Sequence, residues 1–113
     1  MSDDRLAAHL EVAGLLRRAE ALGGTGTIVA RGDRERGGLL IQVTERGTTT
    51  AVLERLLGAD GRYRWQRSGP KDASESAVDG WMTSRRRNDP DLWLIELAIV
   101  PSARFIDETT GVP

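Results

Sequence analysis

The feature of this sequence that most constrains its fold is a change in the spacing of apolar residues near residue 24. Before it, apolar residues recur every three or four positions, which predicts a helix over residues 6–22. After it, four short segments alternate with period two, at residues 25–31, 39–46, 48–57 and 63–67. Short turns such as Arg46-Gly47 and Asp60-Gly61 separate the later segments. Consecutive short strands joined in this way predict an antiparallel meander.

A second helix and a last strand follow the meander. Ser68-Gly69-Pro70 breaks the strand pattern, and helical spacing over residues 73–87 predicts the second helix. Asp72, followed three residues later by Glu75, resembles a capping box at its start. Residues 92–100 are apolar on both faces, which is typical of a strand in the interior of a sheet.

The predicted order of elements is therefore α-β-β-β-β-α-β. It describes an α+β fold, with a mostly antiparallel sheet and two helices in a single compact domain over residues 1–113. The length suits one such domain. Residues 1–5 and 107–113 are predicted to be flexible ends, although Phe105 and Ile106 are expected to hold the polar tail down.

Composition limits the environment and the partners of the chain. There is no cysteine, so disulfides and thiolate metal sites are excluded. The start of the chain has two early acids and no long apolar run, which indicates neither a signal peptide nor a membrane anchor. Net charge is −1, with acids interspersed among 15 arginines and one lysine, so no overall field attracts nucleic acid. We expect a cytoplasmic protein with no membrane partner.

Two features resemble catalytic or phosphate-binding motifs, but the sequence around each of them does not support that role. The glycine-rich stretch of residues 23–27 follows a helix, whereas a phosphate-binding loop precedes one. His9 is the only histidine, and no motif supplies it with a nucleophile or further metal ligands, so we expect it to face solvent on the helix. We therefore expect no cofactor and no metal, and an enzyme is the less favoured class.

Residues 62–67 alternate cations with aromatic rings. Arg62 and Arg64 beside Tyr63 and Trp65 would suit a module that binds single-stranded nucleic acid, with phosphates on the arginines and bases on the rings. The same alternation is typical of a half-buried strand with its rings in the core and its arginines in water. The second interpretation is favoured, and nucleic-acid binding is retained as an alternative.

The segment around residues 85–91 is the second candidate contact. Arg85, Arg86 and Arg87 end the predicted helix, where cations complement the helix dipole. Asp89 and Asp91 flank Pro90 in a turn. With Glu96, these two acids could form a carboxylate-dependent active site, which is a second alternative. The arginines and Asp89 and Asp91 are retained as candidate ligand or partner contacts.

A small apolar patch lies off the main face of the first helix. It consists of Leu6, Leu10 and Ala13, which a simple surface helix would not need. We predict that it packs either against the C-terminal tail or against a second subunit.

Two motifs carry a resemblance. The first is LLRRAE at residues 15–20, ahead of Gly23-Gly24, and the second is RRRNDPDLW at residues 85–93. They are the most specific parts of the resemblance. Over nearly its whole length the chain resembles a family of small bacterial proteins known only as a domain of unknown function. The resemblance implies a cytoplasmic, single-domain, stand-alone protein, and it carries over no catalytic residues.

The leading functional prediction is a non-catalytic binding or assembly protein. Its partner is an unidentified protein or a second copy of the chain, which would make it a homodimer.

Overall fold

Within residues 6–72 and 74–112, which are the residues that this computed structural model describes, three helices pack on one five-stranded sheet. In chain order the elements are α1 (Ala8–Ala21), β1 (Thr25–Ala30), β2 (Leu39–Glu45), β3 (Thr48–Leu57), β4 (Tyr63–Ser68), α2 (Glu75–Asn88), β5 (Trp93–Ala98) and α3 (Ser102–Thr110). The predicted α+β class and the order α-β-β-β-β-α-β are confirmed, and α3 is added at the end.

The strands lie in the order β1-β5-β2-β3-β4. β5 is antiparallel to β1 and parallel to β2, and the β2–β3 and β3–β4 pairs are antiparallel. The sheet is thus mostly antiparallel, as predicted. β5 lies inside the sheet between β1 and β2, which confirms the prediction from its two apolar faces. β1 and β4 form the two edges.

Helices cover both faces of the sheet. On one face, here called the α1 face, α1 and α3 pack through residues such as Val12, Ala19, Phe105 and Ile106. On the opposite face, the α2 face, Val78 and Met82 of α2 pack on apolar residues of β2, β3 and β5. The result is a three-layer arrangement in which both sides of the central strands are buried.

The helix starts differ from the sequence-based expectation. α1 begins at Ala8, where the amides of Ala8 and His9 donate to the carbonyls of Glu35 (3.1 Å) and Arg34 (2.9 Å). A loop after β1 therefore supplies acceptors to two amides of the helix N-terminus. Residues 1–5, predicted to be flexible, lie outside the described residues.

α2 is capped by Ser74 rather than by Asp72. The Ser74 hydroxyl accepts from the amide of Ala77 at 3.3 Å. Asp72 instead accepts from the amide of Ser74 at 2.9 Å, in the turn before the helix. Position 73, the predicted first residue, lies outside the described residues, and the helix begins at Glu75.

α3 occupies the predicted polar tail. Phe105 and Ile106 are buried and hold it on the α1 face, as expected of these two residues. Gly111 ends the helix at φ 72°, in the left-handed region that glycine adopts without strain. The flexibility of residues 107–113 stays a prediction, and residues 107–110 belong to this helix. None of the helices in the described ranges is long and apolar enough to cross a membrane.

Candidate binding surfaces

The loop of residues 31–38 and the start of β5 form a closely packed corner. The amide of Asp33 donates to the carbonyl of Asp91 (2.9 Å). The amide of Trp93 donates to the carbonyl of Gly38 (2.8 Å). The Trp93 indole donates to the Asp33 carbonyl at 2.7 Å, and Trp93 is 2% exposed. Trp93 is therefore buried, and the DPDLW motif holds this corner.

Glycines allow the close approach in this corner. A Cβ atom at Gly32 or at Gly37 would overlap the carbonyl oxygen of Asp91. Asp89 organises the turn that follows α2, since its carboxylate accepts from the amide of Asp91 at 3.2 Å. Backbone contacts therefore fill the space between the loop and the turn, while Asp89 and Asp91 themselves are exposed.

The three arginines at the end of α2 point to different places. Arg85 makes a paired hydrogen bond with Glu54 of β3, with Nη1 at 2.8 Å from Oε1, and its guanidinium lies 5.2 Å from the centre of the Trp81 ring. The hydrogen bond to Glu54 raises the pKa of Arg85. Arg86 donates to the carbonyl of Arg31 at the end of β1 (2.6 Å). The first two arginines thus have structural partners.

Arg87 is exposed, and the described part of the chain offers it no ion pair. The Glu54–Arg85 pair was missed at the level of sequence. Its signal was a charged residue inside the apolar stretch of β3, where Glu54 is only 9% exposed.

The structure does not bring the three candidate catalytic carboxylates together. Glu96 accepts from the hydroxyl of Thr44 (3.1 Å) and lines an open groove of about 460 Å³ on the α2 face. Asp89 and Asp91 do not line that groove. Among the described residues, no group of three or more His, Cys, Asp or Glu side chains could hold a metal ion. A carboxylate-dependent active site would need Asp89, Asp91 and Glu96 close together, and they do not line a common pocket.

On β4, Arg64 lies on the face opposite to Trp65, and an acid in the preceding turn holds it. Asp60 accepts from the amide of Arg62 at 3.1 Å and forms an ion pair with Arg64. The Arg62 amide, and then the Arg64 side chain, hold the pKa of Asp60 below its ordinary value. Tyr63 is 58% exposed, so the expectation that it belongs to the core is wrong.

Trp65 is half-buried against the core of the α1 face. The guanidinium of Arg55 lies 4.9 Å from the centre of its ring, and Arg55 in turn pairs with Glu11 of α1 (Nη1–Oε2 3.1 Å). Beside β4 lies a groove of about 470 Å³, to which the last turn of α3 and Val112 contribute. This groove could not be predicted without α3.

The opposite edge of the sheet, formed by β1, is uncharged and partly apolar. β1 has the sequence TGTIVA, which contains no charged residue, and Val29 is 54% exposed. On and just before α1, Leu6 and Leu10 are 63% and 50% exposed. Ala13 is partly buried, and His9, expected to face solvent, is also partly buried, with its Nδ1 at 2.9 Å from the Arg34 carbonyl.

These features define a single-domain α/β/α sandwich whose two sheet edges are accessible. A family model described as a protein of unknown function, DUF1491, matches residues 6–107. The chain belongs to the DUF1491 family, which confirms the resemblance in its sequence.

Solved structures agree with this assignment. A crystal structure of a DUF1491 family protein from Caulobacter crescentus CB15 has 29% identity and a TM-score of 0.73, over 81% of this chain and 86% of that one. An NMR structure of a DUF1491 family protein from the same organism gives the same identity and TM-score, over 83% and 86%. Protein Atu0922 from A. tumefaciens, at 21% identity and a TM-score of 0.68 over 81% and 84%, shares the fold. No curated protein matches the chain.

Proposed function

We propose that this protein is a non-catalytic assembly module that forms a homodimer by pairing the β1 edges of two copies. The observation that carries the proposal is the lack of charge along β1. An edge strand presents unpaired amides and carbonyls, and proteins ordinarily protect such an edge with charged side chains, proline or a covering segment. β1 has neither charge nor proline over its six residues.

The side chains of β1 suit pairing with another strand. Thr25, Thr27 and Val29 are exposed, and β-branched residues of this kind favour strands and pack well across a strand pair. In antiparallel pairing about a two-fold axis, a β1 residue i of one copy faces residue j of the other, and residue j faces residue i. The two five-stranded sheets would then form one ten-stranded sheet.

The position of α1 supports the same arrangement. α1 packs against β1, and a Cβ atom at Gly26 would overlap the side chain of Leu16. Antiparallel β1 edges therefore bring the two α1 helices side by side on one face of the joined sheet.

The orientation of α1 indicates which of its residues would meet the second copy. Glu11 and Arg18 mark the side of α1 that faces β3 and α3, through Arg55 and Thr109. At about 100° per residue, Ala13 lies on the opposite side of the helix, with Leu10 next to it. This geometry supports a subunit contact at Leu10 and Ala13. Leu6 precedes α1 and lies beside Glu11 and Arg55, so its role in a subunit contact stays a prediction without this support.

Size-exclusion chromatography with light scattering tests the proposal. We expect a particle of twice the 12.3 kDa chain mass at micromolar concentration. Val29→Lys should give a monomer with an unchanged circular dichroism spectrum, because it places a charge on the edge. Val100→Lys is the matched control, since Val100 is 49% exposed and lies outside both edge strands. A native monomer, or equal dissociation by both variants, would contradict the proposal.

Nucleic-acid binding, the alternative, has less support. A base-stacking surface needs open ring faces, and Arg55 occupies one face of the Trp65 ring. Arg85 and Arg86 are engaged with Glu54 and the Arg31 carbonyl, so they form no cationic surface with Arg62 and Arg64.

A further inference from the structure

We propose a second interaction surface at the β4 edge, where the sheet receives an extended peptide strand that alternates acidic and apolar residues. This surface, here called the β4 edge, comprises residues 62–68 and the adjoining groove of about 470 Å³. It lies at the opposite end of the sheet from β1, so the inference goes beyond the proposed homodimer.

The backbone supplies the first part of the argument. β4 pairs with β3 on one side and is the last strand of the sheet. In an antiparallel edge strand, alternate residues direct their amide and carbonyl groups away from the sheet. An extended peptide that adds to such an edge gains main-chain hydrogen bonds, whereas its side chains determine specificity.

The side chains of β4 define which peptide fits. Trp65 is paired with Arg55 across the strands and lies on the α1 face, beside the groove. Arg64 is paired with Leu56, one position along, and therefore lies on the α2 face. An added strand has the same alternation, so every second side chain would lie beside Trp65 and the others beside the cations.

The groove favours apolar side chains on the α1 face. Trp65, Ala59 and Val112 contribute apolar surface to it, together with the aliphatic part of Arg67. A peptide side chain such as valine or leucine would cover surface that is now in contact with water, which is favourable in proportion to the apolar area buried.

Charge determines the other face. Arg64, and by alternation Arg62, lie on the α2 face, and Asp60 is the acid that pairs with Arg64. Arg67 is paired with Leu53 and lies on the α1 face beside Trp65. Neither Arg62 nor Arg67 has an ion pair within the ranges described. Pairing of two β4 edges would bring the arginines of both copies close together, which is unfavourable. The charge thus excludes self-pairing and favours an acidic strand.

A binding experiment with designed peptides tests this inference. The probe is a fluorescein-labelled octapeptide of four Glu-Val repeats, followed by fluorescence anisotropy at low salt. We expect saturable binding in the range of about 10–100 μM, which is typical of a weak, transient contact. Four Lys-Val repeats should not bind, and a peptide with four glutamates followed by four valines should bind at least about tenfold more weakly.

Two further comparisons separate a strand contact from simple charge attraction. N-methylation of alternate amides on one edge of the Glu-Val peptide leaves its charge unchanged and should abolish binding, because it removes the main-chain donors. The double variant Arg62→Gln, Arg64→Gln should weaken binding about tenfold. The matched control Arg87→Gln, Arg104→Gln removes the same charge from two exposed sites on α2 and α3 and should leave binding unchanged.

The outcomes are distinct from those of the homodimer test. Val29→Lys should bind the Glu-Val peptide as the native chain does, whether or not the native chain is a dimer. No binding at millimolar peptide, or equal binding of the N-methylated peptide, would overturn the inference. Binding of a fifteen-residue deoxythymidine oligonucleotide without binding of the peptide would overturn it as well and would identify a nucleic-acid surface instead.

Discussion

The two edges of this sheet are held in place by different interactions. β1 ends in the corner where the loop of residues 31–38, Asp91 and Trp93 make backbone contacts, and α1 covers one of its faces. β4 is held by charged groups, namely the Asp60–Arg64 pair and the guanidinium of Arg55 on the neighbouring β3, which lies over Trp65. The neutral, closely packed edge suits pairing with an identical strand, and the charged edge suits a different partner.

The strongest test of this contrast is Trp93→Ala at the β1 end. Trp93 is 2% exposed and donates to the Asp33 carbonyl, so the change should cost about 3–5 kcal/mol of the free energy of unfolding. Trp93→Phe keeps most of the ring volume and should cost less, because it chiefly removes one hydrogen bond. Urea denaturation measures both. A cost below about 1 kcal/mol for Trp93→Ala would show that the corner does not depend on this side chain.

A glycine substitution tests the same corner without removing any contact. Gly32→Ala introduces a Cβ atom that overlaps the Asp91 carbonyl, and it should destabilise the fold by about 3 kcal/mol. The control is Gly80→Ala in α2, where no neighbouring atom lies within 4 Å of the new Cβ atom. That variant should be more stable than the native chain by about 0.5–1 kcal/mol. Equal effects of the two changes would contradict the account of the corner.

The attachment of the β3–β4 side to α2 is tested by Glu54→Ala. Glu54 accepts from Arg85 of α2 and from Ser68 of β4, and its loss leaves a partly buried guanidinium without its partner. We expect a cost of about 2 kcal/mol by thermal or urea unfolding, since Arg85 keeps partial access to water. Glu20→Ala, at an exposed site of α1, should change stability by less than about 0.5 kcal/mol.

The smallest expected effect is a titration at the β4 hairpin. The carboxyl of Asp60 should titrate below 3.8, because the Arg62 amide and the Arg64 side chain stabilise its charged form. Its contribution to stability is therefore complete above that pH and is lost as the pH falls through the lowered pKa. Arg64→Ala should raise the pKa only in part, since the hydrogen bond from the Arg62 amide, which also lowers the pKa, remains. NMR titration of the Asp60 carboxyl carbon measures this, and a full return to 3.8 would contradict it.

Period and turn chemistry predicted most of the fold. The strand segments were correct to within about two residues, because alternation and Asp60-Gly61 or Arg46-Gly47 turns are local signals. α3 was missed since its nine residues include only two large apolar side chains, Phe105 and Ile106, and two threonines end it. The Gly111 stop and the i,i+4 pair of Arg104 with Glu108 were the available signals.

Strand order and the candidate surfaces depended on contacts that are distant in sequence. The parallel pairing of β2 with β5 joins segments about 50 residues apart, and no local pattern encodes it. The same holds for the partners of the three arginines, since Glu54 and the Arg31 carbonyl are 31 and 55 residues from Arg85 and Arg86. The exposure of Tyr63 likewise follows from the position of β4 at the edge, which the sequence did not reveal.

Amide hydrogen exchange, measured residue by residue by NMR, tests the contrast between the two edges most directly. In the native chain at high micromolar concentration, the outward-pointing amides of β1 should exchange slowly, and they should exchange fast in Val29→Lys. The outward-pointing amides of β4 should exchange fast in both proteins and slow down only when the Glu-Val peptide is added. Fast exchange along β1 in the native chain, or slow exchange along β4 without peptide, would contradict the account.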